Sequence, residues 1–103
     1  MSFSFFYHHI FIIKIYTEYR KKVIVLNIKI IGSNNKNGIK LRKMVMRASK
    51  DYDGNVTIEL LDDMSSKRDY KVKNLPGLVI NNKTVSEGRV PSVREIYNLM
   101  QMA

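Results

Sequence analysis

Residues 28–41 constrain the fold of this chain more than any other stretch. They read IKIIGSNNKNGIKL: an apolar run ends at Gly32, a polar turn follows, and a basic segment with regularly spaced apolar residues begins near Lys36. This pattern predicts a strand, a tight turn and the start of a helix. Because a helix N-terminus offers free N–H groups and the positive end of the helix dipole, the turn is also the first place to look for a functional site.

Strand and helix patterns continue on both sides of this turn. Residues 26–31 are rich in β-branched side chains and predict the first strand. Asn35 is a suitable N-cap for the following helix. The buried face of that helix is indicated by apolar residues at a spacing of three and four, namely Leu41, Val45, Ala48 and Tyr52. Residues 56–61 alternate as a second strand, and residues 62–70 favour a short helix capped by Asp62 or Asp63.

The C-terminal third predicts a hairpin and a last helix. Two short apolar runs, at residues 78–80 and 84–86, are separated by Asn81 and Asn82, which tolerate the positive φ of a tight hairpin. Gly88 is expected to end the hairpin at a bulge. Ser92 and Glu95 form a capping-box pattern at the start of the last helix. Its buried face is predicted to comprise Val93, Ile96, Leu99 and Met100.

The predicted order is therefore βαβαββα, an α/β fold. Since the first two strands flank a helix, they are expected to lie parallel, whereas the last two form an antiparallel hairpin. The result is a mixed four-stranded sheet with helices on its faces.

Residues 1–25 differ from this regular part and are assigned to a separate leader, with the domain at residues 26–103. The segment is crowded with Phe, Ile, Tyr and Lys, and its charged residues interrupt any membrane span. Two interpretations stay open: an amphipathic surface helix, or a leader translated from too early a start, with Leu26 the true start if its codon is UUG. We expect the leader to lie outside the folded core.

Composition limits the chemistry. The 103 residues include no cysteine, so the chain has no thiolate nucleophile and no cysteine metal site. The net charge of +9 favours anionic partners without specifying a fold. His8 and His9 are adjacent and have no further ligands nearby, so we predict no metal site and no cofactor.

Three runs carry a resemblance to a known family: NIKIIG at residues 27–32, LPGLVIN at residues 75–81 and GRVPSV at residues 88–93, the last being the most specific. With these runs the chain resembles the small thioredoxin-like proteins often called redox-active disulfide proteins, over most of residues 26–102. The resemblance implies a thioredoxin fold, with a cis peptide bond before Pro76 that faces the N-terminus of the first helix.

The resemblance fails at the residues that carry the family's chemistry. The family places two cysteines, separated by two residues, on the turn after the first strand, and these positions fall on Asn35 and Gly38 here. Thiol–disulfide exchange requires an attacking thiolate, so oxidoreductase activity of that kind is excluded. The family often has threonine before the proline, where this chain has Leu75.

The first functional hypothesis is a thioredoxin-fold protein that has lost its redox pair and serves as a non-catalytic peptide- or protein-binding module. The binding groove would lie between the turn and the proline loop, with the site residues Asn34, Asn35, Lys36, Asn37, Gly38, Leu75 and Pro76. The simpler interpretation of the asparagines is that they cap the helix and accept turn geometry.

The alternative is a basic module that binds nucleic acid or another polyanion through the first helix. Its cations are Lys36, Lys40, Arg42, Lys43, Arg47 and Lys50, and the simpler interpretation is a solvated helix face. A thiol-independent enzyme activity is a third, weaker hypothesis. No membrane span is expected, the predicted location is cytoplasmic, and the sequence leaves the oligomeric state open.

Overall fold

A computed structural model describes residues 25–103, and the predictions made for residues 1–24 lie outside this range. Seven elements follow one another in the described part: β1 (Val25–Ile31), α1 (Lys36–Asp51), β2 (Asn55–Leu61), α2 (Met64–Asp69), β3 (Gly77–Ile80), β4 (Lys83–Glu87) and α3 (Val93–Met102). The predicted order βαβαββα is therefore confirmed. No helix within residues 25–103 is long and apolar enough to cross a membrane.

The four strands form one mixed sheet in the order β2-β1-β3-β4. Strand β1 is parallel to β2 and antiparallel to β3, and β3 is antiparallel to β4. Strand β1 is thus central, and β2 and β4 are the edges. The parallel pair and the hairpin agree with the predicted topology.

The main core lies on one face of the sheet. Alternate residues of β1, such as Ile28 and Ile30, pack there against the buried faces of α1 and α3. The predicted α1 face is confirmed for Leu41, Val45 and Ala48, which are buried, whereas Tyr52 is the C-cap of the helix and only partly buried against the same core. A smaller cluster of Ile31, Val72 and Val79 lies apart from this main core. Together, these packed side chains hold the sheet and the two longer helices as one unit.

The hairpin turn has the geometry that its asparagines predict. Asn81 and Asn82 adopt φ angles of 50° and 66° between β3 and β4. The predicted bulge at Gly88 is wrong. The register shifts within the hairpin instead, because Leu78 pairs with Ser86 while Val79 pairs with Thr84, which leaves Val85 as the extra residue. Gly88 lies beyond β4, where its N–H donates to the carbonyl of Pro76 at 3.0 Å.

The start of α3 follows only half of the capping-box prediction. The Ser92 hydroxyl accepts a hydrogen bond from the N–H of Glu95 at 3.1 Å, as an N-cap does. The carboxylate of Glu95 does not return to the N–H of Ser92 but binds the guanidinium of Arg89. A charged partner displaces the weaker backbone contact, because hydrogen bonds between ionised groups are the stronger kind.

These charged contacts predict a dependence of stability on pH. The Ser65 and Ser66 hydroxyls lower the pKa of Asp63, and Arg89 lowers the pKa of Glu95, from ordinary values of 3.8 and 4.5. A depressed carboxyl pKa stabilises the fold above the unfolded-state pKa, and this contribution is lost as pH falls through the folded-state pKa. Thermal melts should therefore show a smaller loss of stability between pH 6 and pH 2 in the variant Asp63→Asn/Glu95→Gln. The control Asp53→Asn should keep the loss of the unchanged protein.

Candidate functional site

The turn between β1 and α1 presents the predicted site residues to solvent. Asn34, Asn35, Lys36 and Asn37 are exposed, whereas Gly38 is buried. The side chain of Asn35 accepts a hydrogen bond from the N–H of Gly38 at 2.6 Å, and Asn35 itself has the extended backbone of an N-cap. The predicted capping role is confirmed. At the position of the family's first cysteine, an asparagine side chain therefore caps the helix N-terminus.

Gly38, at the position of the second cysteine, has no room for a side chain. A Cβ atom there would lie 2.7 Å from the Cα of Ser33 and 2.8 Å from its carbonyl carbon, and closer still to the carbonyl oxygen of Gly32. These neighbours are backbone atoms and cannot swing away as the end of a side chain can. At this position the chain therefore has neither a thiol nor the space that a thiol-bearing side chain would need.

Asp62 ties the same turn to the end of β2. Its carboxylate accepts the backbone N–H of Ser33 at 2.6 Å and the Ser33 hydroxyl at 3.0 Å from each oxygen. Ser33 is only 1% exposed, so these bonds satisfy donors that water does not reach. Of the two predicted caps for α2, Asp63 takes that position and Asp62 serves this turn instead.

The proline loop approaches the turn through Leu75. The peptide bond between Leu75 and Pro76 is cis, and Pro76 is buried. Leu75 is 40% exposed, and its side chain packs over Gly32, where an added Cβ would lie 3.0 Å from the leucine Cβ. Among residues 25–103, neither the N–H nor the C=O of Leu75 has a hydrogen-bond partner. The turn and the loop are therefore neighbours, and beside them Leu75 offers backbone groups that no described residue pairs.

The cations of α1 form a surface that no acidic side chain of the described chain neutralises. Lys36, Lys40, Lys43, Arg47 and Lys50 are exposed, and Arg42 is half-buried. The ion pair found within residues 25–103 joins Arg89, on the segment before α3, to Glu95 in the first turn of α3. The surface of α1 consequently carries positive charge that no ion pair within the described part of the chain neutralises. Residues 25–103 contain no group of three or more His, Cys, Asp or Glu side chains that could hold a metal ion.

An apolar surface, which the sequence did not single out, lies where α1 meets the edge strand β2. Met46, Ile58 and Leu60 are exposed there and line a groove of about 440 Å³ together with Arg42 and Lys43. The signal in the sequence was the alternation of Val56, Ile58 and Leu60. That alternation predicts a strand but does not reveal that the strand is an edge, because edge and central strands can share one pattern.

Comparisons with known proteins agree with this architecture. A family model described as thioredoxin domain matches residues 26–101. Among solved structures, thioredoxin-2, a component of the malaria parasite's protein secretion machinery, superposes with a TM-score of 0.63 at 15% sequence identity. The superposition covers 77% of this chain and 84% of that one. No curated protein matches by sequence.

The order of the elements, the mixed sheet and the family match all lead to one assignment. The match spans both the turn that would hold the redox cysteines and the proline loop that faces it. The whole chain contains no cysteine. This chain is therefore a member of the thioredoxin-domain family in which the residues of the redox pair have been replaced.

Proposed function

We propose that this chain is a non-catalytic peptide-binding module and that an extended peptide binds at Leu75, beside the turn of residues 33–38. The observation that carries the proposal is the backbone of Leu75, whose N–H and C=O have no partner in the described chain. An extended peptide can pair with such groups through its own main chain. The exposed leucine side chain adds apolar contact area beside them.

The exposed turn supports recognition by supplying polar groups next to this backbone. The carbonyl oxygen of the Asn35 amide is used by the cap, but its NH₂ group makes no hydrogen bond within residues 25–103. Asn34, Lys36 and Asn37 add further exposed donors. No thiol is present to attack a bound disulfide, so the proposed function is to hold a peptide and not to reduce it.

The test is to select binders from a random heptapeptide library on the full chain and to titrate the best synthetic peptide into isotope-labelled protein. We expect the amide signals of Leu75 and of the turn to shift on binding. Leu75→Asp should raise the dissociation constant of the peptide at least tenfold, because it places a charge on the apolar contact. The matched control is Met64→Asp, since Met64 is an exposed apolar residue elsewhere on the surface.

Two results would contradict this proposal. One is a library that yields no peptide above background with protein shown by circular dichroism to be folded. The other is a bound peptide that shifts signals elsewhere while those of Leu75 stay unchanged.

The unpaired cations of α1 favour polyanion binding as the second candidate function. This candidate predicts that a short DNA duplex binds and that its affinity falls steeply as salt rises, because bound phosphates release counterions. A peptide held by backbone pairing and apolar contact depends less on salt. Measuring both probes at low and physiological salt therefore separates the two functions.

A further inference from the structure

Strand β2 presents one row of backbone groups that no described element pairs. It is the last strand of the sheet and has β1 as its only neighbour in residues 25–103. The carbonyl of Leu61 accepts the N–H of Gly32 at 2.9 Å, so Leu61 directs its backbone groups towards β1. Because successive residues of a strand direct these groups to opposite edges, Ile58 and Leu60 direct theirs outwards, away from the sheet.

The same residues place their side chains on the α1 side of the sheet. Ile58 and Leu60 are register partners of the core residues Ile28 and Ile30, and partners in register share a face. Unlike those partners, they are 36% and 44% exposed, because β2 is an edge strand and β1 is central. With Met46 they form the apolar groove of about 440 Å³. A strand added to this edge would therefore place every second side chain over the groove.

Positive charge lies at both ends of this groove. Arg42 and Lys43 line it beside Leu60, and Lys50 lies at the other end, in the shallower depression that Met46, Val56 and Ile58 share. None of the three cations is in an ion pair with a described residue. An occupant whose apolar side chain sits between two carboxylates would match this arrangement of charge.

The charge also decides between a partner peptide and a second copy of this chain. Pairing of β2 with β2 about a two-fold axis would bring the same cations of two molecules together, since a two-fold interface places the same patch on both sides. Like charges placed close together oppose such a contact. A chain with a net charge of +9 favours an acidic partner over itself.

We propose that the edge of β2, which has no partner strand within residues 25–103, binds an acidic, extended peptide by strand addition. One face of the peptide presents a carboxylate, an apolar side chain and a second carboxylate at alternate positions. The apolar side chain fills the groove at Met46 and Ile58, and the carboxylates lie near Arg42 and Lys50. This surface lies on the edge strand β2, whereas the binding site proposed above centres on Leu75 in the loop before β3.

The probe is a fluorescently labelled heptapeptide of sequence Thr-Glu-Thr-Ile-Thr-Glu-Thr, measured by anisotropy against the full chain. In a strand, its two glutamates and its isoleucine lie on one face. We expect binding that weakens at least tenfold when both glutamates become lysine, and at least tenfold when the isoleucine becomes serine. Comparable binding of all three peptides would overturn the proposal, as would no binding of the first.

Backbone pairing is tested with two N-methylated versions of the probe. One version carries the methyl groups on the odd-numbered residues of the peptide, and the other carries them on the even-numbered residues. An added strand uses only one of its two edges, so one phase should abolish binding and the other should leave it within about threefold. Equal effects of both phases would exclude strand addition.

Protein variants locate the surface. Met46→Glu should weaken binding of the probe at least tenfold. The matched control Met64→Glu should leave binding unchanged, because Met64 is exposed but lies on α2. Leu75→Asp should also leave it unchanged, which keeps this proposal separate from the peptide-binding function at Leu75. Loss of binding in Leu75→Asp, or a dimer of the unchanged protein in sedimentation equilibrium, would overturn the assignment.

Discussion

Replacing Gly38 by alanine should lower the free energy of unfolding by about 3 kcal/mol, the upper part of the range for forced overpacking. The added methyl group meets backbone atoms of Ser33 at 2.7 and 2.8 Å and the carbonyl oxygen of Gly32 at a shorter distance still. Helix propensity alone predicts the opposite sign, because alanine in a helix is favoured over glycine by about 1 kcal/mol. Chemical denaturation followed by circular dichroism measures the difference.

Asn37→Ala is the matched control for Gly38→Ala. Asn37 is exposed and precedes Gly38 in the first turn of the same helix. Its replacement should change the unfolding free energy by no more than about 0.5 kcal/mol, as surface substitutions generally do. If Gly38→Ala instead stabilises the protein, the backbone of Gly32 and Ser33 does not lie as close to Gly38 as the structure shows.

The tight packing at Gly38 has a consequence for the lost redox motif. Returning cysteines to positions 35 and 38 would remove the cap that Asn35 makes with the N–H of Gly38. It would also force a larger side chain than alanine into the space closed by Gly32 and Ser33. The two thiols therefore cannot be restored without moving the turn.

Local chemistry made much of the fold predictable. The bounds of α1 follow from its Asn35 cap and its apolar spacing, and the hairpin follows from Asn81 and Asn82, whose φ angles are positive. The family resemblance placed the two redox positions on Asn35 and Gly38. The helix cap, the apolar spacing and the hairpin depend on residues within about one helical turn of each other, where sequence spacing and spatial distance agree. The redox positions were placed instead by the resemblance, which rests on runs spread over residues 27–93.

Contacts that no local motif specifies explain what could not be predicted. Asp62 reads as a cap for the nearby α2, yet it binds Ser33, 29 residues earlier in the chain. Glu95 leaves the predicted capping box because Arg89 folds back to it. The bulge at Val85 depends on the register against β3. In each case the tertiary arrangement selects the partner, and no local sequence motif specifies it.

The edge position of β2 is a further property that its sequence does not reveal. Ile28 of β1 and Ile58 of β2 are the same residue type, are register partners and face the same side of the sheet. Both belong to alternating apolar patterns. The strand order makes one central and the other peripheral, so Ile28 is 0% exposed and Ile58 is 36% exposed.

Truncation to alanine should affect stability very differently at these two isoleucines. Ile28→Ala should lower the free energy of unfolding by about 4 kcal/mol, because it removes a fully buried side chain and leaves a cavity among the core residues packed by α1 and α3. Ile58→Ala should lower it by only about 1 kcal/mol, since part of that side chain already contacts water and solvent can fill the space. Denaturant midpoints and slopes of the two variants provide the comparison.

The small effect on stability expected of Ile58→Ala is informative because of what the same variant should do to binding. If the apolar edge of β2 serves recognition, Ile58→Ala should strongly weaken binding of the acidic heptapeptide while the protein stays folded. A loss of stability equal to that of Ile28→Ala would mean that Ile58 is a core residue in the full chain, and the edge would then not be free. A stable variant with unchanged peptide affinity would exclude this groove as the recognition surface.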